Sequence, residues 1–336
     1  MKERIYFDGA ANVTPYEAVL DVLRDIYMSN MNNPSSLHNE GVKASDLLEK
    51  ARDDIAKIIG CDTDEIFFVS GSSEAIAWVA KMRTLVVHPT SHHSVFEAQK
   101  DCNPKLIKKP VVAVPYYDSE TGTKNDLTEF LNKEIFLDLT AAIGKEHINL
   151  HDMKNVTYAC FSAHKFGGVL GAGVLYIKKR VQKYIQPLIW GSQERGYRGG
   201  TENYPAIVAM AEALKITYDN FDKNKARMGT LMSYLYNKVS MIVDARCSIN
   251  TINITFKHLS AQSAVLIFDM YGVAISAGSA CNSKSVEPSP TLLYRRYSDE
   301  QALKTIRLSL TPNNTIEECE KFIKILKEVV DTYDNI

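Results

Sequence analysis

The feature that most constrains the fold is a series of short apolar runs separated by segments with helical periodicity. One helical segment is expected to begin at Thr14 and Pro15, and another runs from Ser45 to a stop at Gly60. Alternation of this kind is typical of an α/β fold, with a mostly parallel mixed sheet flanked by helices. The runs predicted as buried strands are Glu65–Ser70, Thr84–His88, Val111–Tyr116, Glu134–Thr140, Val156–Ser162 and Gly173–Ile177.

The pattern changes after a long helical stretch at residues 203–240. Predicted strands at Ile252–Phe256 and Val273–Ser276 are followed by a last amphipathic helix, which a capping box opens at Thr315. This part of the chain is expected to form a smaller α+β domain. The predicted large domain spans residues 13–230, and the small domain combines residues 1–12 with residues 231–336.

Composition excludes several classes of function. A formal net charge of −1 provides no basic field for nucleic acid. No run is long enough for a membrane span, and the first residues lack the apolar core of a signal peptide, so a soluble cytoplasmic protein is expected. The six cysteines are scattered without a zinc-like pairing, so no metal site is expected.

Two charged residues stand in or beside predicted buried strands, where desolvation penalises an unpaired charge. Lys165 follows Val156–Ser162 in the sequence FSAHKFGG, and partial burial would make its amine nucleophilic enough for Schiff-base chemistry. Asp138 lies inside the run Glu134–Thr140 and needs a cationic partner. That partner is either a core arginine or a protonated pyridinium nitrogen, which would make a bound cofactor an electron sink. The two residues together favour the cofactor, although Lys165 alone could be a surface lysine.

Two further segments fit the same interpretation. The sequence SGSSEA (Ser70–Ala75) follows a predicted strand and opens a helix, where backbone amides and small hydroxyls can hold a phosphate. The pair His92 and His93 also follows a predicted strand. Adjacent histidines point to different sides, so we expect one ring to stack on a flat cofactor rather than both to bind a metal.

Two residues near the end of the chain could act on a substrate. Cys281 lies among small residues in SAGSAC, directly before the polar stretch NSKSVEPSP. An exposed thiol in such surroundings is what a persulfide carrier requires, whereas a buried structural cysteine is the ordinary alternative. Arg307 lies in the apolar sequence TIRLSL, and its planar guanidinium suits the carboxylate of an amino acid.

Taken together, these motifs resemble the cysteine desulfurases of the class V aminotransferase group, which have pyridoxal-phosphate (PLP) fold type I. The matches occur in the family's order along nearly the whole chain. The segment from Cys281 to Arg307 is similar to the subgroup with a long catalytic-cysteine loop. The matching segments are YFDGAAN, NPSSLHNEG, SGSSEA, TSHHSV, DSETG, LDLTAAIG, SAHKFGG, GSQERGYRGGTEN, SAGSACNSKSVEPS and TIRLSL.

The resemblance implies a PLP-dependent L-cysteine desulfurase that forms L-alanine and a persulfide on Cys281. Catalysis would depend on Cys281, on Lys165 as the lysine that holds the cofactor, and on His92 as the residue that stacks on its ring. Asp138 would pair with the ring nitrogen, and Thr201 would reach the phosphate from a neighbouring subunit, which implies a homodimer. The remaining implied contacts are Ser72, Ser73, Ser162 and His164 for the cofactor, and Arg307, Ala11 and Ser119 for the substrate.

The resemblance implies that the persulfide passes to an acceptor protein, but the sequence does not identify it, and an iron–sulfur scaffold, a tRNA-thiolation enzyme and a DNA-modifying system all stay open. This sequence departs from the family at Ala141, where a glutamine is usual, and at Ser119, where an asparagine is usual. The large domain also looks trimmed between His92 and Asp118. These departures leave two alternatives open: another class V activity, such as selenocysteine or cysteine-sulfinate lyase, and a degenerate scaffold that binds partners.

Overall fold

The structure is a computed structural model that describes residues 4–29, 33–102, 109–278 and 287–335. Cys281, the residue predicted to carry the persulfide, lies outside the described residues. The described residues fall into two compact units. The first contains residues 13–116 and 125–220, and the second contains residues 1–12, 117–124 and 221–336.

Strands and helices alternate along most of the chain. The strands are β1 (Ile5–Tyr6), β2 (Ile66–Val69), β3 (Leu85–Val87), β4 (Val111–Pro115), β5 (Ile135–Asp138), β6 (Val156–Ser162), β7 (Gly173–Ile177), β8 (Asp244–Cys247), β9 (Thr251–Thr255), β10 (Val273–Ala274) and β11 (Thr305–Ser309). The α-helices are α1 (Glu17–Met28), α2 (Asn39–Ile59), α3 (Ser72–Met82), α4 (His93–Lys100), α5 (Lys179–Gln182), α6 (Tyr204–Asp219), α7 (Phe221–Val239), α8 (Ala261–Met270), α9 (Pro290–Tyr294), α10 (Asp299–Leu303) and α11 (Ile316–Val329).

The first unit is built on a six-stranded sheet with the order β2-β7-β6-β5-β4-β3. Strands β3 to β6 are parallel to one another, and β7 is antiparallel to both β6 and β2. This sheet confirms the predicted α/β class with a mostly parallel mixed sheet. Because β7 is antiparallel to both neighbours, β2 runs in the same direction as β6. The carboxyl ends of β2, β3, β4, β5 and β6 therefore lie at one edge of the sheet.

Apolar side chains on the sheet pack against helix α3 to form the core of the first unit. The Trp78 ring is fully buried, meets Phe67 edge-to-face with 5.9 Å between ring centroids, and donates its indole N–H to the Gln186 carbonyl oxygen. Phe136 and Tyr158 continue the cluster across β5 and β6. Burial on this scale follows from strands whose residues are apolar on both faces, as expected for a parallel sheet covered by helices.

Two predicted helix starts are wrong. Helix α1 begins at Glu17 with Tyr16 as its N-cap, not at Thr14 and Pro15. Helix α2 begins at Asn39, six residues before the predicted Ser45, because the His38 ring accepts a hydrogen bond from the Gly41 amide and caps it. A histidine cap lies outside the usual serine, threonine and aspartate signals. The predicted end at Gly60 is confirmed, since this glycine adopts a left-handed φ of 64°.

The second unit has an antiparallel sheet with the order β11-β9-β8 and a parallel pair formed by β1 and β10. Helix α11 packs its apolar face on this core, where the Phe268 and Phe322 rings stack with 5.5 Å between centroids. Thr315 and Glu318 form the predicted capping box. Residues 117–124 and 221–230 lie within the range predicted for the large domain, but both stretches group with this unit. The Asn253 side chain donates to the Glu120 carbonyl oxygen, and Arg295 pairs with Asp118.

Within the described ranges, no helix is long and apolar enough to cross a lipid bilayer.

Candidate functional site

Side chains with chemical function follow four strands of the first unit at the common edge of the sheet. Ser72 opens helix α3 after β2, His92 precedes α4 after β3, Asp138 ends β5, and Lys165 lies in the turn after β6. The charges of Asp138 and Lys165 are both close enough to the His92 ring to influence its pKa. Open α/β sheets bind their ligands at the carboxyl ends of parallel strands, so the topology makes this edge the candidate site.

Three hydroxyl groups form a hydrogen-bonded cluster at the start of helix α3. The Ser72 Oγ atom lies 2.7 Å from Thr140 Oγ1 and 2.9 Å from Ser162 Oγ, and the Ser72 amide donates to Ser162 Oγ at 2.8 Å. The first amides of a helix have no intrahelical acceptor and carry the positive end of its dipole. Hydroxyls and amides in this arrangement suit a phosphate group.

Thr140 belongs to this cluster although the sequence analysis did not select it. The signal that could have found it is its place two residues after Asp138, at the carboxyl end of a parallel strand. Ser73, by contrast, is a predicted phosphate contact whose side chain is exposed on the first turn of α3.

A close backbone approach shapes the turn between β2 and α3. A Cβ atom added at Gly173, the first residue of β7, would lie 2.7 Å from the Gly71 Cα atom and 2.8 Å from the Phe161 carbonyl oxygen. A side chain at this position would therefore displace the turn that begins α3. The glycine keeps the Ser72 amide within reach of Ser162.

The Asp138 carboxylate is held in place through one of its two oxygen atoms. Its Oδ1 atom accepts a hydrogen bond from the Thr140 amide at 2.9 Å, and the Cys160 thiol lies 3.9 Å from the same oxygen. Complete burial raises the pKa of the Cys160 thiol well above its ordinary value, so this group stays protonated and acts as a weak donor. A half-buried carboxylate oriented in this way is suited to a cationic ring nitrogen.

The His92 ring has a defined tautomer. Its Nδ1 atom accepts a hydrogen bond from the Ser94 amide at 3.2 Å and lies 2.8 Å from Ser94 Oγ. An amide can only donate, so the proton of the neutral ring is on Nε2. Burial lowers the pKa of His92, Asp138 raises it and Lys165 lowers it, and the net shift is downward. His92 is therefore neutral at pH 7.

His164 is also held neutral beside Lys165. Burial, followed by the positive charge of Lys165, lowers the pKa of His164 to about 4. Lys165 itself is half-buried in the turn that follows β6. This turn therefore keeps a neutral imidazole next to an amine.

We expect His164 to make the stability of the cofactor-free protein depend on pH. An imidazole with a pKa near 4 in the folded state and about 6.5 when unfolded binds more protons in the unfolded state, so its contribution is lost as the pH falls from 6.5 towards 4. His164→Gln should reduce the fall in unfolding free energy between pH 7 and pH 5 measured by urea denaturation. His151→Gln, on the surface, is the matched control, and equal slopes for wild type and His164→Gln would contradict the expectation.

Thr201 lies in the loop between Gly191 and Asn203, and its side chain is exposed. A buried ion pair anchors this loop to β2. Arg52 Nη2 lies 2.7 Å from Glu194 Oε1, both side chains are almost fully buried, and the Phe68 amide donates to Glu194 Oε2 at 2.9 Å. Glu194 and Arg195 both have positive φ angles, 46° and 60°, which non-glycine residues rarely adopt. The ion pair therefore holds a strained loop conformation.

We expect Glu194→Gln to lower the unfolding free energy by about 3 kcal/mol, because it leaves the buried Arg52 guanidinium without its main counter-charge. Urea denaturation at pH 7 measures the change. The matched control is Asp21→Asn, which breaks the exposed pair with Arg24 and should cost about 0.5 kcal/mol or less. Similar decreases in unfolding free energy in the two variants would show that the buried pair stabilises the fold no more than the exposed pair does.

The predicted substrate residues belong to the second unit. Arg307, in β11, is 4% exposed; its Nη2 atom lies 2.7 Å from Asp8 Oδ1, and its Nη1 atom donates to the Ser119 carbonyl oxygen at 2.8 Å. Its buried Nε atom has no hydrogen-bond acceptor within the described part of the chain. Ala11 follows Asp8 in the same turn, and its amide donates to the Asp8 carbonyl oxygen. A buried guanidinium with one unused donor is suited to an additional carboxylate.

Ala141 and Ser119, which depart from the family pattern, both accept hydrogen bonds through their backbone carbonyl oxygens. The Ala141 carbonyl oxygen accepts a hydrogen bond from Lys145 Nζ at 2.8 Å, and the Ser119 carbonyl oxygen accepts from Arg307. Neither contact requires a particular side chain, so substitutions at both positions are compatible with the local structure.

Comparisons with known proteins agree with this geometry. The family model described as aminotransferase class V matches residues 5–106 and 104–322. The chain belongs to the class V aminotransferase family. This membership implies dependence on PLP, and it confirms the family resemblance predicted from the sequence.

Within this family the chain is similar to cysteine desulfurases. It is 29% identical to cysteine desulfurase IscS of Dictyoglomus turgidum, with 98% of this chain and 95% of the relative covered. The alignment spans 379 positions, more than the 336 residues of this chain, so the relative has residues that this chain lacks. A solved NifS-like protein is 28% identical with a TM-score of 0.87, covering 98% of this chain and all of that one. A NifS-like protein from Rickettsia africae, 24% identical with a TM-score of 0.88 and the same coverage, shares the fold.

The residues at the edge of the sheet fit PLP. Asp138 offers a carboxylate to a ring nitrogen, Lys165 an amine, His92 a flat neutral ring, and the cluster around Ser72 a set of donors for a phosphate. The ring nitrogen, the ring face, the aldehyde carbon and the phosphate of PLP therefore each have a complementary group among the residues of the first unit.

Proposed function

We propose that the protein is an L-cysteine desulfurase that transfers the sulfur of cysteine to Cys281. The observation that carries the proposal is the set of Asp138, Lys165, His92 and the hydroxyl cluster at one edge of the sheet, in a chain whose relatives are named cysteine desulfurases. PLP, when bound, supplies an electron sink that makes bonds at the α-carbon of an amino acid labile.

The chain's own residues have distinct roles in this proposal. Asp138 holds a proton on the ring nitrogen, because a carboxylate stabilises the cationic form. Lys165 Nζ binds the cofactor and moves protons at the substrate α-carbon. The His92 ring stacks on the cofactor, and its Nε2 atom holds the exchangeable proton. Ser72, Thr140 and Ser162 bind the phosphate together with the first amides of α3, and His164 flanks it as a neutral ring.

Arg307 binds the substrate carboxylate in this proposal. Its unused Nε donor provides a hydrogen bond for that carboxylate, while Asp8 and the Ser119 carbonyl hold the guanidinium in place. Charge-assisted hydrogen bonds of this type are among the stronger polar contacts in proteins. Ala11 and Ser119 would line the same region of the second unit.

Cys281 would attack the sulfur of the bound cysteine. The carbon–sulfur bond of the substrate breaks, a sulfur–sulfur bond forms, and the substrate carbon receives a proton. One L-cysteine and one thiol thus give one L-alanine and one persulfide, so the reaction needs no external oxidant. A thiolate is the reactive form, so the step is favoured as the pH approaches the ordinary cysteine pKa of about 8.5.

The proposal extends to the assembly and the acceptor. The exposed Thr201, on a loop held by Arg52 and Glu194, is available to a second copy of the chain, as in a homodimer whose sites share this residue. The persulfide would pass to an acceptor protein, such as an iron–sulfur scaffold or a thiolation enzyme. Light scattering tests the dimer, and persulfide transfer to proteins recovered from the native host tests the acceptor.

The decisive assay supplies the PLP-loaded protein with L-cysteine and a thiol reductant. We expect alanine and sulfide in equal amounts and, without reductant, a mass increase of one sulfur atom on the peptide containing Cys281. The same assay with selenocysteine and cysteine sulfinate separates the alternative lyase activities, which the substitutions at Ala141 and Ser119 favour. Turnover of those substrates without any from L-cysteine would overturn the proposal.

A further inference from the structure

An ion pair joins the loop at residues 191–203 to the first turn of helix α3. The Arg198 Nε atom lies 2.8 Å from Glu74 Oε1, and its Nη2 atom lies 3.2 Å from Glu74 Oε2. The two side chains are only 19% and 11% exposed. A guanidinium that meets both oxygens of a carboxylate fixes the orientation of the pair as well as its distance. The loop that carries Thr201 is therefore tied to the helix at the candidate phosphate site.

Glu74 also holds the turn that leads into this helix. Its Oε2 atom accepts a hydrogen bond from the Ser70 amide at 2.7 Å, and Ser70 lies between β2 and the start of α3 at Ser72. Burial raises the pKa of Glu74, but hydrogen bonds from Arg198 and Ser70 and the charge of Arg198 lower it, and the net shift is downward. Glu74 is therefore charged at pH 7, and one carboxylate contacts both the phosphate-binding turn and the loop.

Thr201 follows closely after this anchor. Arg198, three positions before Thr201, is the closest ion-paired residue of the loop, and helix α6 begins three positions after it at Tyr204. The Gly200 amide donates to Gln193 Oε1 at 3.1 Å, which closes the loop on itself. The Thr201 side chain is exposed. This short stretch of chain is thus held on both sides while its threonine faces outwards.

A contact made from such a loop is favoured by its prior order. A loop that is already fixed loses less conformational entropy on binding than a free loop, so the same hydrogen bond contributes more to affinity. Breaking the ion pair would leave the Thr201 hydroxyl chemically unchanged but would lower its contribution to binding.

We propose that Glu74 and Arg198 are positioning residues that hold Thr201 in place for the phosphate of a PLP molecule bound to a second copy of the chain. This inference rests on the proposed function, in which Thr201 completes the site of the neighbouring subunit in a homodimer. Because Glu74 also holds the phosphate-binding turn of its own subunit, the ion pair links the two cofactor sites of the dimer.

Titration of the cofactor-free protein with PLP, followed by the absorbance of the bound cofactor, tests the first consequence. We expect Arg198→Gln to raise the Kd for PLP about 10-fold, because a charge-assisted pair that orders the loop is lost. Arg198→Lys keeps the charge without the planar fork and should raise the Kd only about three-fold. The matched control is Arg180→Gln, which breaks a pair with Glu134 directly before β5, at the opposite edge of the sheet, and should leave the Kd unchanged.

Mixed dimers, purified with two different affinity tags, test whether the effect crosses to the other subunit. A Lys165→Ala subunit gives no absorbance from covalently bound PLP, so only its partner reports. When Lys165→Ala and Arg198→Gln are in one subunit and the other is wild type, the reporting site receives the altered loop, and we expect a Kd raised about 10-fold. When the two substitutions are in different subunits, the reporting site receives an intact loop, and we expect a Kd close to that of wild type.

A rise in Kd that is equal in the two mixed dimers, or larger in the second, would overturn the inference, because the pair would then act within its own subunit. Loss of stability alone would give this result, so the comparison separates positioning from folding. Arg198→Lys keeps the comparison valid if Arg198→Gln fails to fold. Thr201→Val in the Lys165→Ala subunit is the benchmark: if it raises the Kd and Arg198→Gln does not, the inference alone fails, whereas no effect of Thr201→Val would overturn the proposed sharing of Thr201 as well.

Discussion

Replacing Lys165 with alanine is expected to remove the visible absorbance of the covalently bound cofactor and to reduce turnover by about 10³-fold or more. The reason is that Lys165 is the amine at the candidate site that can both bind PLP covalently and move a proton at the substrate. Lys165 is half-buried in the turn that follows β6, next to the neutral ring of His164. The measurements are the absorbance spectrum after incubation with PLP and the rate of alanine formation from L-cysteine.

The matched control for this prediction is Lys154→Ala, at an exposed lysine of the same unit. We expect its spectrum and rate to equal those of wild type. A Lys165→Ala protein that retained both the band and the activity would exclude Lys165 as the cofactor lysine. A wild-type protein that remained colourless with PLP would instead support the scaffold alternative.

Replacing Cys281 with serine is expected to lower alanine and sulfide formation from L-cysteine by about 10³-fold or more, with the cofactor absorbance unchanged. Serine has nearly the same size but no sulfur to receive the substrate sulfur, so the persulfide cannot form. The effect should appear in kcat, because neither the cofactor residues nor Arg307 are altered. Mass spectrometry should show no added sulfur on the peptide that contains residue 281.

Cys247→Ser is the matched control, because Cys247 is an exposed free thiol in the second unit. It should keep full activity, although its side chain is exposed. Unchanged release of sulfide by Cys281→Ser would contradict the proposed mechanism. That result would favour a lyase reaction in which the enzyme does not accept sulfur.

The strands and the helix–strand alternation could be predicted from the sequence because both depend on local patterns. The runs at Val156–Ser162 and Gly173–Ile177 have the predicted bounds, and the other strands of the large sheet lie within their predicted runs. Predicted helix starts failed where a cap came from an unusual residue, as at His38. The pattern of apolar residues marks the buried face of a helix, whereas its first turn is set by a single hydrogen bond.

The candidate cofactor residues could also be selected from the sequence, because Asp138 and Lys165 are charged residues in or beside apolar strands. The spatial arrangement of the site residues could not be predicted from the sequence. Thr140, Ser72 and Ser162 meet only because β2, β5 and β6 end at one edge of the sheet. The same is true of the buried pair of Arg52 and Glu194.

The amino-acid sequence alone determined the class of fold, the order of its elements and the types of side chain available for chemistry, since periodicity and residue type are local properties. The tertiary structure decided that Asp8 pairs with Arg307, that residues 117–124 join the second unit, and that Glu74 pairs with Arg198. These contacts join residues more than 100 positions apart, so they depend on how the chain packs, and no pattern along the sequence encodes them directly.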